Sequence, residues 1–221
     1  MSKIIPSPDR SKQGTVRVLT VLSVAAVVTG VGGQPAGANP FGSTACVDPA
    51  GAVPLNCVNL ANNNDHAMNY VNLDQTTQAI PGMGAAMTAA ISDLNGTDLH
   101  AYRDENDSLP DVWVHDYNYG ALDGITAWVV CPSDNTGEGG SNPNRWCRGQ
   151  DLNFNVYYWV SDNGFYDTAA QRQNIACHEL GHTVGLQHRT DTRASCMWTY
   201  AGDGGASRYD AHDRGHVNSR Y

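Results

Sequence analysis

"ACHELGHTVGLQHRTDTRASCMW", residues 176–198, holds three histidines, one glutamate and two cysteines in a single short stretch. Helical positions four apart share a face, so His178 and His182 project together, a spacing that suits two imidazoles meeting one metal ion. Glu179 lies about 100° further round, where it borders such an ion without taking a ligand position. Gly185 lacks a Cβ and can adopt the left-handed backbone that ends a helix and reverses the chain. That reversal would return His188 as a third ligand. Three nitrogen ligands leave the fourth zinc position to water, as in catalytic rather than structural sites. In a chain of this composition the five motif residues arise by chance with a probability on the order of 10⁻⁵, so unrelated histidines explain them poorly.

Outward from this stretch, Asp167 is the expected N-cap of a helix that runs to Gly185. Upstream, period-two patterns predict strands over 66–73, 99–103, 111–118, 124–131 and 151–160. In the third of these, Val112, Val114 and Asp116 alternate with Trp113 and His115. Residues 81–96 place Met83, Met87, Ala90, Ile91 and Leu94 at helical intervals, with Asn95-Gly96 as a stop. Residues 209–221 are expected to form a last helix. Mixed strands and helices, without repeats or an interdomain linker, give an α+β domain over 65–221.

His178, Glu179, His182, Gly185 and His188, followed nine residues later by Met197, resemble the zinc-binding and Met-turn signature of the metzincin metalloproteases. The resemblance implies a twisted mixed sheet, an antiparallel edge strand lining the cleft, an active-site helix, a methionine turn beneath the zinc, and a C-terminal helix. It makes 124–130 the edge strand and 152–159 the strand feeding the active-site helix. It also implies support of the Met-turn by Asp210 and Asp213. The short link to the methionine is similar to matrixins and to small secreted bacterial proteases of the snapalysin type, although snapalysins have Asp in place of His188. Astacins and serralysins follow the third histidine with Glu, where this chain has Arg189. They place a tyrosine two residues after the methionine, where Thr199 stands here, which leaves Tyr200, one residue later, as the candidate for that catalytic role, with packing as the alternative. The matrixin cysteine-switch motif is absent.

The implied chemistry is hydrolysis of internal peptide bonds, with Zn²⁺ activating water and Glu179 as general base and then acid. An extended protein or peptide substrate would add to the edge strand. The reading from another class is a catalytically idle metzincin-like module that binds peptides or a surface; retention of Glu179 beside all three ligands counts against it.

Residues 1–38 combine Lys3, Arg10, Lys12 and Arg17, an apolar run over 18–29 and an Ala-x-Ala site at 36–38. That order predicts a secretory signal peptide, with 39–64 as an N-terminal extension or short propeptide. Cleavage after Ala38 would leave 9 basic residues (13 − 4) against 21 carboxylates (22 − 1), a net charge of −12. Such acidity argues against nucleic acid or an anionic membrane as partner, and a secreted monomer is expected. Six cysteines in an exported chain read as disulfides, and sequence order pairs Cys46–Cys57, Cys131–Cys147 and Cys177–Cys196. The last pair would clamp the Met-turn to the helix that presents the zinc ligands. Asp-rich loops at 104–111 and 133–142 offer oxygen ligands for Ca²⁺, with solvated turns as the alternative. His66, His100, His115, His212 and His216 read as ordinary surface or hydrogen-bonded residues.

Overall fold

A computed structural model of the protein describes residues 61, 64–71, 73, 80–122, 124–130, 147, 149–160, 168–200 and 205–221. Its elements are β1 (Asp65–Tyr70), α1 (Met83–Leu94), β2 (His100–Arg103), β3 (Val112–Tyr117), β4 (Ala127–Val130), β5 (Gln150–Asn155), α2 (Tyr157–Val160), α3 (Ala169–Thr183) and α4 (Ala211–Arg220). The class is α+β, as expected. The strands form one mixed sheet in the order β2-β1-β3-β5-β4. β1 runs parallel to β2 and β3, and β3 parallel to β5. β4 is antiparallel to β5, with Val129 opposite Leu152, and takes the sheet edge.

Parallel neighbours need a crossover between them, and α1 is the crossover from β1 to β2. Its Met83, Met87, Ala90, Ile91 and Leu94 are all buried, as their spacing predicts. β3 turns Val112, Val114 and Asp116 inward and leaves Trp113 and His115 half-buried on the opposite face. A buried carboxylate needs a partner, and Asp116 accepts a hydrogen bond from the Ile80 amide at 3.0 Å. Phe154, Leu152, Met68, Ile175, Leu180 and Met197 lie fully buried in a core shared by sheet and helices.

Three expectations need correction. The strand expected over 151–160 ends at Asn155, and Tyr157–Val160 is helical. Asn155 explains the break: its Oδ1 accepts from the amides of Tyr157 and Tyr119, and its Nδ2 donates to the carbonyls of Gly120 and Ile125. A side chain that gathers four backbone groups ends the ladder and ties Tyr119, Gly120 and Ile125 to the end of β5. The first strand stops at Tyr70 rather than Leu73, and Val71 is exposed. The α3 cap is Thr168, not Asp167, which lies outside the described residues. Thr168 and Gln171 form a reciprocal capping box, which satisfies two backbone donors that a helix start otherwise leaves open.

The C-terminal end of α3 is tied to the sheet at one residue. Thr183 Oγ1 lies 2.9 Å from His66 Nε2 of β1, and Thr183 O accepts from Gln150 Nε2 of β5 at 2.8 Å. Both side chains are fully buried. Burial lowers the His66 pKa to about 4, so the imidazole is neutral in the fold.

Candidate metal centre

α3 ends in a Schellman turn. The Leu186 amide donates to Gly181 O at 3.0 Å, the Gly185 amide donates to His182 O at 3.3 Å, and Gly185 has φ +98°. This pairing closes helix carbonyls that would otherwise be left open, and its left-handed residue is the expected glycine. The reversal brings His188 to the helix pair. One ligand nitrogen from each of His178, His182 and His188 lies within 4.8 Å of the other two. His178 Nε2 and His182 Nε2 are 3.1 Å apart. Two nitrogens at about 2.05 Å from a tetrahedral ion stand roughly 3.3 Å apart, so the helix pair fits a single zinc-sized ion.

The rings are held from behind by backbone. His178 Nδ1 donates to Cys196 O and His182 Nδ1 donates to Leu186 O, each at 2.7 Å. A carbonyl can only accept, so each Nδ1 carries the proton and each Nε2 offers a lone pair to the shared point. Burial, the largest cause at all three, also keeps the imidazoles neutral. It lowers His178 to about 3 and His182 well below its usual value, with His188 lowered as well. Neutral imidazoles are what a cation requires. Glu179, one position on from His178, is buried at 6% exposure, and desolvation raises its carboxyl pKa to about 8.

The two cysteines now have a role. Cys177 and Cys196 are disulfide-bonded, so the residue before His178 is joined to the residue whose carbonyl fixes the His178 tautomer. Met197, next in sequence, is fully buried against α3. A Cβ on Gly181 would collide with Met197 Sδ and lie 3.0 Å from Tyr209 Cε1; the glycine inside the motif is therefore a packing requirement. Tyr209 also donates from its hydroxyl to Cys177 O at 2.7 Å.

Arg189 and the start of α4 brace the methionine turn. The Arg189 amide donates to Met197 O at 2.7 Å, and its guanidinium reaches Asp191, Asp210 and Asp213 at 2.6, 2.7 and 3.2 Å. Asp213 is fully buried, and it accepts from the Ser195 hydroxyl. Ser195 Oγ in turn accepts from the Met197 amide at 2.9 Å. Asp210 and Asp213 thus support the turn, as the resemblance implies. Arg189, Ser195 and Tyr209 went unassigned in the sequence because no spacing marks them; their roles come from contacts across the turn.

Tyr200 is about half exposed, with its ring centroid 5.8 Å from that of Trp198. Cys147 is disulfide-bonded, but Cys46, Cys57 and Cys131 lie outside the described residues, as do residues 1–38 and the 133–142 loop. In the other acidic loop, Asp104 and Asp107 accept from the amides of Asn106 and Leu109, the bonding of Asx turns. His100 and His115 pair with Asp65 and Asp151. Among the described residues no helix is long and apolar enough to cross a membrane. No protein-family profile matches the chain, and no curated protein sequence does.

Proposed function

We propose that the protein is an exported zinc endopeptidase of metzincin type, acting on proteins or peptides. The observation that supports this most is a triad of neutral, backbone-oriented imidazoles with a buried carboxylate one residue from its first member. Nitrogen ligands with an open fourth position suit zinc. A zinc ion on His178, His182 and His188 would supply Lewis acidity and lower the pKa of bound water from about 15.7 to about 7.

The chain's own residues supply the rest. A cation on the triad would favour the ionised form of Glu179 against the effect of burial, and that carboxylate takes a proton from the attacking water as the new C–O bond forms. It returns that proton to the amine nitrogen as the C–N bond breaks. The outer edge of β4 offers backbone groups to an extended substrate, which favours affinity tolerant of side-chain identity. The Cys177–Cys196 bridge and the basic-then-apolar stretch over 1–29 support export.

Casein cleavage by the purified, zinc-loaded secreted protein tests the reading, with Glu179→Ala run beside it. Wild type should cleave, and the variant should lose at least ~10²-fold, the range expected for a general base, while keeping the zinc on the triad. Zinc binding without cleavage of any protein substrate would favour the idle binding module instead. Equal activity in both proteins would remove Glu179 from the mechanism.

A further inference from the structure

We propose that His212 and His216 of α4 form a second metal site, taking a late first-row divalent cation such as Zn²⁺. The two residues are four apart on one helix, and their Nε2 atoms stand 3.2 Å apart. The rings meet edge to face, with centroids 4.6 Å apart and planes at 82°. This is nearly the geometry of the buried helix pair, where His178 and His182 give 3.1 Å, 4.7 Å and 89°. The spacing again matches the roughly 3.3 Å between two nitrogens on one tetrahedral ion.

The surroundings favour a cation. Asp191, Asp210 and Asp213 gather at this end of α4 around a single guanidinium, that of Arg189. Water would complete the coordination, since His212 is exposed and His216 only half-buried. With two histidine ligands among the described residues in place of three, and greater exposure, the site binds more weakly than the triad. It also has a structural consequence. An ion here fixes the first turns of the helix whose Asp210 and Asp213 hold the methionine turn, so occupancy stabilises the fold without taking part in hydrolysis.

Equilibrium dialysis of the full chain against increasing Zn²⁺ at pH 7.5 tests this, comparing wild type with His212→Asn/His216→Asn. Wild type should bind one more ion per chain than the variant. Its melting temperature should keep rising with Zn²⁺ after the tighter site is full, and the variant's should not. The single His216→Gln variant should lose the same ion and serves if the double variant misfolds. Equal stoichiometry in wild type and variants overturns the proposal. The result is independent of the peptidase reading: should the triad bind no zinc, wild type would hold one ion and the variant none.

Discussion

His178 and His182 on α3 and His212 and His216 on α4 are two i, i+4 pairs with almost the same internal geometry in very different settings. The α3 pair is buried, each ring is turned by a backbone carbonyl, and a Schellman turn delivers a third histidine. The α4 pair lies nearer the surface, with no third imidazole beside it among the described residues. Helical spacing alone therefore sets the distance between two ligands. The preorganised site comes from what stands behind them: the turn at Gly185, the Cys196 carbonyl, the disulfide and the packing of Met197. A metal site is as much a property of its supports as of its ligands.

The contrast can be broken most forcefully at the disulfide. Replacing Cys177 and Cys196 together by Ala should cost about 3 kcal/mol in the chain-entropy account for a loop of roughly 20 residues. Urea unfolding would measure that loss, and zinc affinity at the triad should weaken with it. The α4 ion should dissociate as before while the fold persists. A variant with full stability and unchanged triad affinity would show that the bridge does not brace the pair.

A smaller effect is expected at Gly181. Gly181→Ala drives a Cβ into Met197 Sδ, and overpacking of this kind costs about 1–3 kcal/mol. The denaturation midpoint should fall, and Met197→Ala in the same chain should recover part of the loss by making room. Failure of that rescue would assign the strain elsewhere.

The pH dependence of the metal-free protein discriminates by the sign of its slope. His178 is lowered to about 3 from 6.5, and His66, His182 and His188 are lowered too. The unfolded chain therefore binds more protons than the folded one below pH 6.5, and stability falls on acidification through that range. Glu179 acts in the opposite sense. Its pKa is raised from 4.5 to about 8, so its contribution is full below 4.5 and is lost as pH rises through 8. Four histidines outweigh one glutamate below 6.5, whereas Glu179 alone of these sets the slope above it, giving maximal stability near pH 6.5. Urea midpoints at pH 5, 6.5 and 8 would trace this profile. Substituting His216, whose pKa partial burial also lowers, should remove only a part of the loss on the acid side.

Much of the centre was legible before the fold was known. The ligand spacing, the glycine of the turn and the pairing of Cys177 with Cys196 all depend on short stretches in which local geometry decides. α1 and β3 were legible for the same reason, since a buried face stamps its period on the sequence. The break at Asn155 was not, because residues 156–160 continue an apolar pattern and only the side-chain bonds to a distant loop reveal the turn. Arg189 stands where the astacin and serralysin pattern has Glu, which gives it no role in the sequence, yet it is the hub of the brace on the methionine turn, and its partners are fixed only when α4 docks. His212 and His216 read from the sequence as ordinary residues without ligand spacing, yet they stand four apart on α4, the same interval as His178 and His182 on α3.

One consequence concerns the order of folding. The ligands, the disulfide, the methionine turn and the Asp213 brace all fall between residues 168 and 213, joined by contacts of modest separation along the chain. The sheet depends instead on parallel pairing and on long crossovers such as the one through α1. Loops that close over short spans cost less entropy and close faster. The segment that carries the histidine triad should thus be able to consolidate as a local unit, with its docking to the slower sheet, marked by Thr183 against His66 and Gln150, as a later event.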